Sequence, residues 1–523
     1  MKKITVAIVF AVATLFGTTS CKKDKDDNTP GAEVHSEENT IPLDATKIDA
    51  FFTKYPKFKE FQPQIKELYA KHHHHYIWHD DKGLIEFAEV MYNRTNSLEK
   101  DGVPTEVPHR EAIDQLFTKG SNKPDLNNEL LVSSMYFYYT KKVFEGLDPK
   151  KAKQTGWFLP REKVSYVAYL DELMKDPDLI KQDKSENILQ YYHLRKGLQK
   201  YRDIEKKGGW GKITMQSKKA LKVGDSSTTV GQVRTRLFKE GYLKSDSKSN
   251  MFDDELKNGL RVYDEKHDRK VDNLITQSLV DELNISVADR IRQITVNMER
   301  CRWISPDITQ AEKYISVNIP SYSLTYYVDG KEALTSRVVV GKELNKTVVF
   351  SGKVSYLQFS PYWNVPQSIL DEEILPGIEK DPGYLEKHNM EWEGERVRQR
   401  PGDDNALGKV KFMFPNQNNI YLHDTPAKSL FNRDDRAFSH GCVRVEKARE
   451  LALMITKEDG NWNARRLDEA MNAGEESSYS LKKRIPVYIA YFTAWADENG
   501  NVSFYNDVYE RDARLARMLY TAK

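Results

Sequence analysis

The chain has 523 residues, more than one ordinary hydrophobic core accommodates, so its length predicts about three domains plus tails. Its composition, 39% hydrophobic and 11% aromatic, is typical of a globular protein and excludes a largely disordered one. Its formal net charge is only +2. Because nucleic-acid-binding proteins usually carry a basic excess, no nucleic-acid partner is expected.

The N-terminus has the pattern of a targeting segment. Lys2 and Lys3 form a positively charged start, residues 4–17 are apolar, and small residues then lead to Cys21. The apolar run is too short for a permanent membrane helix, and no later stretch reaches the ~18 apolar residues that one needs. Residues 1–20 are therefore predicted to be a signal peptide. The cysteine after small residues resembles the lipobox of bacterial lipoproteins, which implies lipidation of Cys21. A plain secretory signal with an incidental cysteine is the alternative.

A lipid on Cys21 would anchor the chain to a membrane. The resemblance therefore implies a place in the cell envelope, in the periplasm, with the outer membrane favoured. Residues 21–44 are polar, charged and free of aromatic side chains, which indicates a flexible tether. The two remaining cysteines, Cys301 and Cys442, do not form the dense pattern of a disulfide scaffold. We expect Cys301 to pack in the core, and a single reactive thiol is the more interesting possibility.

Residues 45–210 are predicted to form a helical scaffold domain. Apolar residues recur at helical spacing in three segments: residues 112–117, 130–147 and 164–174. The Gly-Gly-Trp-Gly cluster at 208–211 marks a domain boundary. Four consecutive histidines, residues 72–75, would fan out around a helix axis. No cysteine or carboxylate pattern accompanies them, so no metal site is predicted.

Residues 218–284 are predicted to form a small unit of three helices. Gly224 and Gly241 mark its turns, and its apolar positions are Leu221, Val230, Val233, Leu237 and Leu243. The pattern resembles the three-helix peptidoglycan-binding domain. Asp272 stands where that domain usually has glycine. Two interpretations stay open: a wall-binding module, or a structural module that supports its neighbours.

From residue 300 to residue 500 the pattern changes to a mainly β domain. β-Branched and aromatic runs are separated by turn signals such as Asp329-Gly330. The predicted strands are residues 314–319, 323–328, 336–340, 347–350, 420–423, 441–445 and 485–492. Residues 361–408 are rich in proline, glycine, tryptophan and charge, which indicates a helical or loop insertion that acts as a lid. Residues 501–523 are predicted to be a C-terminal extension. The fold class is multi-domain α+β.

Residues 438–445, Phe-Ser-His-Gly-Cys-Val-Arg-Val, combine apolar and reactive residues. If 440–445 is a strand, alternate residues share a face, so His440, Cys442 and Arg444 point one way and the two valines point into the core. This arrangement is unusual for a purely structural strand. Gly441 would allow close approach of a substrate backbone and leave its N–H free for an oxyanion.

A thiol at neutral pH needs a base or a cation to become nucleophilic. His423, in the upstream segment 421–426, ends its own predicted strand and can be brought beside Cys442 if the two strands are neighbours. His440 is a rival base because it is only two residues away. Arg444 would stabilise a thiolate or hold a substrate carboxylate through its planar guanidinium.

The motif Ser-His-Gly-Cys-Val-Arg with an upstream histidine resembles the signature of L,D-transpeptidases with a YkuD-type catalytic domain. The resemblance extends to further segments and points to the long, multi-domain YcbB-like branch of that family. These segments are Met298-Glu299-Arg300 with Trp303, residues 317–320, 339–342, 360–366 and 381–385.

The resemblance implies a role for each motif residue. Cys442 would be the acylated nucleophile and His423 the general base. His440, Gly441 and Cys442 would form the oxyanion-stabilising stretch. The substrate-binding residues implied are Arg444, Ser439 and Tyr421.

The implied activity is 3→3 cross-linking of peptidoglycan through a cysteine thioester. The partners would be a tetrapeptide stem as donor and the diamino-acid amine of a second stem as acceptor. The resemblance also implies sensitivity to carbapenems and no metal or organic cofactor. Two alternatives stay open: an L,D-carboxypeptidase or exchange enzyme on the same scaffold, and a catalytically inactive wall-binding lipoprotein.

Overall fold

The computed structural model describes residues 41–119, 123–159, 164–176, 187–267, 269–343 and 346–521. The predicted signal peptide, Cys21 and nearly all of the tether lie outside these residues, so those predictions stay predictions. Within the described ranges, no helix has both the length and the apolar character needed to cross a membrane.

The N-terminal region is helical, as predicted. Its helices are α1 (Ile48–Lys54), α2 (Gln62–Lys71), α3 (Glu86–Thr95), α4 (Arg110–Lys119), α5 (Leu126–Thr140), α6 (Pro149–Gln154), α7 (Tyr166–Lys175) and α8 (Leu189–Lys206). A short hairpin, β1 (His79–Asp80) with β2 (Gly83–Leu84), lies between α2 and α3. Helix α5 is buried on nearly every side, and the Asp125 side chain caps it by accepting the Asn128 N–H at 3.0 Å. It is therefore the central helix of this region.

The four histidines do not share a helix. Helix α2 ends at Lys71, and His73 and His74 adopt left-handed backbone conformations with φ of 52° and 55°. The imidazole of His72 pairs with Asp171 at 2.9 Å. The part of the chain that the structure describes contains no cluster of three or more potential metal ligands.

Three helices build a separate small core: α9 (Thr228–Glu240), α10 (Asp254–Lys266) and α11 (Gln277–Leu283). Each begins at a side-chain cap, provided by Ser227, Asp253 and Thr276 respectively. His267 joins this unit to the C-terminal part of the chain, because its Nδ1 accepts the N–H of Phe504 at 3.1 Å. The unit is thus held in a defined contact with the rest of the molecule.

Two helices lead into the β domain: α12 (Val287–Arg302) and α13 (Pro306–Gln310). Helix α12 packs against α8 and is almost entirely buried over its second half. Cys301 on α12 is fully buried, and burial raises the pKa of its thiol well above the usual range. This cysteine therefore packs in the core, as expected, and is inert.

The β domain contains fourteen further strands in the described ranges. They are β3 (Lys313–Asn318), β4 (Ser323–Val328), β5 (Lys331–Gly341), β6 (Phe350–Phe359), β7 (Trp363–Asn364), β8 (Met390–Glu393), β9 (Arg396–Gln399), β10 (Val410–Met413), β11 (Leu422–His423), β12 (Ala437–Ser439), β13 (Val443–Val445), β14 (Ser477–Ala490), β15 (Ala494–Ala496) and β16 (Val502–Phe504). The main sheet has the order β12–β5–β13–β11–β10–β6–β14–β3–β4. Strand β4 also pairs with β5, so the sheet closes on itself. The mainly β character predicted for this region is confirmed.

Several strand boundaries differ from the sequence prediction. The hairpin turn at Asp329-Gly330 is found, with φ of 51° and 73°, as a type I′ turn requires. Residues 347–350 are not a strand of their own, because β6 begins only at Phe350. Strand β13 begins at Val443, so the strand predicted over 440–445 is too long by three residues.

The insertion over residues 361–408 forms a small body with its own core. It contains α14 (Gln367–Ile369), a π-helical turn (Leu370–Ile374), α15 (Leu375–Lys380) and α16 (Tyr384–Lys387), and a sheet of order β7–β9–β8. After it come α17 (Ala448–Gly460), α18 (Ala464–Met471) and α19 (Asp512–Tyr520). The predicted C-terminal extension contributes to the main core: β16 pairs with β15, and α19 packs on α12. That the insertion acts as a lid stays a prediction.

Candidate active site

The two motif segments meet on neighbouring strands. Strands β11 and β13 run parallel, with Leu422 opposite Val443 and His423 opposite Arg444. Leu422 and Val443 are fully buried on the core side. Because strand residues alternate between faces, His423 and Arg444 share the other face. The strand that ends at His423 and the strand after Cys442 are therefore neighbours in the sheet, as predicted.

The turn that carries the thiol is irregular rather than extended. Gly441 has φ of 118°, a conformation that residues with a side chain rarely adopt. The buried Ser439 hydroxyl bridges the turn: it donates to the Cys442 carbonyl at 2.6 Å and accepts the Gly441 N–H at 3.1 Å. Ser439 therefore supports the turn. The Gly441 N–H is not free, contrary to the prediction that it serves an oxyanion.

His440 points away from the face it was predicted to share. Its Nε2 lies 3.4 Å from Glu373 Oε1 in the π-helical turn of the insertion, and its side chain is 38% exposed. The irregular turn explains this, because the alternation of faces holds only within a strand. The structure brings Cys442, His423, Arg444 and Tyr421 together and leaves His440 at the edge, against the insertion.

The thiol of Cys442 is partly buried beside Tyr421. Its Sγ lies 3.7 Å from the Asn419 carbonyl, and the Val443 N–H donates to the Tyr421 carbonyl at 3.2 Å. Burial raises the pKa of the Cys442 thiol, whereas hydrogen bonds from Tyr421 and the positive charges of two neighbouring side chains lower it. Since burial outweighs the other effects, the thiol is protonated at neutral pH and needs a base.

His423 is a buried, neutral imidazole. Its Nδ1 lies 2.5 Å from the Asp424 carbonyl oxygen, which can only accept, so Nδ1 carries the proton and donates. Burial, together with the charge of Arg444, lowers the pKa of His423 to about 3. With the proton on Nδ1, Nε2 carries the lone pair that can take a proton. No hydrogen bond joins the His423 and Cys442 side chains among the described residues, and such contacts often tighten only when substrate binds.

Lys411 is a member of the site that the sequence motifs did not indicate. It lies on β10 directly opposite His423, and its Nζ lies 4.6 Å from the centre of the Tyr421 ring. Neither Lys411 nor Arg444 forms an ion pair with a carboxylate in the described ranges, and Arg444 Nε is buried without a hydrogen-bond partner. The sequence does contain one signal for Lys411: this lysine stands between two apolar residues, Val410 and Phe412, which are buried on the strand.

Replacing Lys411 tests its effect on the thiol. We expect Lys411→Gln to raise the pKa of Cys442, because a positive charge that favours the thiolate is lost. The alkylation rate of Cys442 by iodoacetamide at pH 8 should fall several-fold, up to about tenfold for a shift of one unit. Lys411→Arg, which keeps the charge, is the matched control. Equal rates for the glutamine variant and the wild type would contradict the effect.

Comparison with known proteins assigns two parts of this chain. A family model described as the L,D-transpeptidase catalytic domain, YkuD, matches residues 312–487, which include the site described above. A second model, described as a Scaffold domain, matches residues 63–198 in the helical region. A curated protein of Haemophilus influenzae named "Putative L,D-transpeptidase" is 39% identical over 245 residues. That match covers 43% of this chain and 49% of the relative, so the chain spans about half the length of the relative it matches.

Solved structures of L,D-transpeptidases are more distant. One from Mycobacterium smegmatis has 15% identity and a TM-score of 0.20, covering 34% of this chain and 58% of its own. One from Stackebrandtia nassauensis has 12% identity and a TM-score of 0.22, covering 52% of this chain and 97% of its own. On the sequence matches, the chain carries a YkuD-type L,D-transpeptidase catalytic domain behind a Scaffold domain.

Proposed function

We propose that this protein is an L,D-transpeptidase that forms 3→3 cross-links between peptidoglycan stems through a thioester on Cys442. The observation that carries the proposal is the parallel pairing of β11 with β13. In this pairing, His423 on β11 lies opposite Arg444 on β13, and β13 begins directly after Cys442. The catalytic-domain match over residues 312–487 supports a transpeptidase.

The first half-reaction acylates the thiol. His423 Nε2 takes the thiol proton while Cys442 Sγ attacks the carbonyl that precedes the terminal D-alanine of a tetrapeptide stem. The carbonyl π electrons move to oxygen, and a backbone N–H meets the oxyanion. When the oxyanion collapses, the C–N bond breaks and D-alanine leaves with the proton from His423. A tripeptide thioester on Cys442 remains.

The second half-reaction transfers the acyl group. The side-chain amine of a diamino acid in a second stem attacks the thioester carbonyl, and His423 takes the proton that the amine loses. The C–S bond then breaks, and the thiolate receives that proton from His423. The product is a 3→3 cross-link, and the free thiol is restored.

The site has two cationic side chains that form no ion pair in the described ranges, Arg444 and Lys411, and these favour a donor peptide with a negative charge. Arg444 and Lys411 flank the thiol, and both act on its pKa. A stem peptide that ends in D-alanine brings a carboxylate close to the scissile carbonyl. We therefore assign Arg444, with its planar and bidentate guanidinium, to that carboxylate. Tyr421, which hydrogen-bonds the thiol, would line the same subsite.

Hydrolysis is the second candidate, because water in place of the amine gives an L,D-carboxypeptidase on the same residues. Anchoring by a lipid on Cys21, an envelope location and glycan binding by α9–α11 stay predictions of the sequence. A catalytically inactive wall-binding protein remains the alternative from another class. It predicts that no thioester forms.

The test is product analysis with purified disaccharide-tetrapeptide from peptidoglycan, followed by liquid chromatography and mass spectrometry. We expect dimers joined between two diamino acids, together with free D-alanine. If only tripeptide forms, and no dimer appears at a millimolar concentration of the acceptor stem, the protein is an L,D-carboxypeptidase rather than a transpeptidase. Unchanged tetrapeptide would contradict both activities.

A further inference from the structure

Thr347 lies directly behind the catalytic turn, in the short segment that precedes β6. It is fully buried. Its hydroxyl donates to the Gly441 carbonyl at 2.9 Å and accepts the Gly341 N–H at 2.9 Å. One side chain thus joins the end of β5 to the peptide group that immediately precedes Cys442.

Tyr509, from the C-terminal segment, holds Thr347 in place. The Tyr509 side chain is buried, and its hydroxyl donates to the Gly341 carbonyl at 2.6 Å. The same hydroxyl oxygen accepts the Thr347 N–H at 3.2 Å. In turn, the backbone N–H of Tyr509 donates to the Tyr491 hydroxyl at 2.7 Å. Satisfied polar networks of this kind fix one geometry in a buried region.

The Gly441 carbonyl and the Cys442 N–H belong to the same peptide group. Because a trans peptide is planar, its C=O and N–H bonds point in opposite directions. The carbonyl points inward to Thr347, so the Cys442 N–H points outward, away from Thr347. The positive φ of Gly441 permits this orientation.

The Cys442 N–H is a donor of this turn that is available to a ligand. No acceptor binds it within the described part of the chain, whereas the Gly441 N–H is occupied by Ser439 Oγ at 3.1 Å. Backbone N–H groups in folded proteins are rarely left without a partner unless water or a ligand supplies one. A peptide flipped at this position would instead present the Gly441 oxygen, which repels an oxyanion.

We propose that Thr347 is a positioning residue that fixes the Gly441–Cys442 peptide so that the Cys442 N–H binds the oxyanion, with Tyr509 holding Thr347. The proposal deepens the proposed function and rests on it. When Cys442 Sγ bonds to the acyl carbon, the carbonyl π electrons move to oxygen, and this N–H donates to that oxygen. Thr347 acts through this peptide group, to which its hydroxyl is hydrogen-bonded.

The experiment compares two reactions of the same thiol in the full-length protein. Acylation by a carbapenem builds an oxyanion, whereas alkylation by iodoacetamide does not. We expect Thr347→Val to slow acylation by about 10²–10³-fold, the cost of losing one oxyanion donor, and to change alkylation by less than about threefold. Thr347→Ser keeps the hydroxyl and should acylate within a few-fold of wild type. Tyr509→Phe should slow acylation less than Thr347→Val does.

Several outcomes would overturn the proposal. Acylation of Thr347→Val at the wild-type rate would do so, as would equal losses in acylation and alkylation, or a serine variant no better than valine. If thermal melting shows that Thr347→Val does not fold, the ratio of the two rates in Tyr509→Phe decides, and an unchanged ratio overturns it. A wild-type protein that alkylates but never acylates would overturn the proposed function as well, which separates the two failures.

Discussion

Cys442→Ala is expected to abolish covalent capture of a carbapenem. In the wild type, intact-protein mass spectrometry should show one added carbapenem mass, because the ring carbonyl acylates the thiol as a stem peptide would. The alanine variant has no nucleophile at this position and should gain no mass. This effect should be complete rather than partial, since no other thiol of the described residues lies at the site.

Cys301 provides the matched control. It is the other free cysteine in the described ranges, it is fully buried, and burial raises the pKa of its thiol. Cys301→Ala should therefore acylate like the wild type, although it loses some packing. An adduct on Cys442→Ala would mean that another residue is the nucleophile. A folded wild type without any adduct would favour the inactive wall-binding protein.

The site was predictable where local pattern determines it. Alternation of apolar and polar residues in Val443-Arg444-Val445 indicates one strand, and the strand-like run that ends at His423 indicates another; both strands occur. The same rule was wrong for His440, because Gly441 breaks the strand with a backbone angle that no alternation pattern reveals. The fold class followed similarly from the change of periodicity near residue 300.

The rest of the site depends on contacts between distant parts of the chain. Thr347 reaches Gly441 across 94 positions, and Tyr509 reaches Gly341 across 168. No motif contains these residues. The residues next to each of them in the sequence give no sign of a role in the active site. Lys411 is similar, since only the register of β10 against β11 places it opposite His423. Such partners follow from sheet pairing, which a single sequence does not specify.

The general base is predicted to be His423 rather than His440. His423→Gln removes the basic Nε2 lone pair and should slow carbapenem acylation by about 10²–10⁴-fold, the usual contribution of general-base catalysis. His440→Gln serves as the control, because His440 lies 38% exposed beside Glu373. We expect its rate to stay within a few-fold of wild type. The reverse ranking of the two variants would make His440 the base.

The pH profile gives an independent test of His423. An ordinary histidine, with a pKa near 6.5, would be protonated as the pH falls from 7 to 5, and acylation would drop more than tenfold. Burial lowers the pKa of His423 to about 3, so the imidazole stays neutral over this range. The thiol is also protonated throughout, because burial raises its pKa. The acylation rate should therefore be nearly flat between pH 5 and pH 7. A fall centred near pH 6.5 would contradict the assignment to His423.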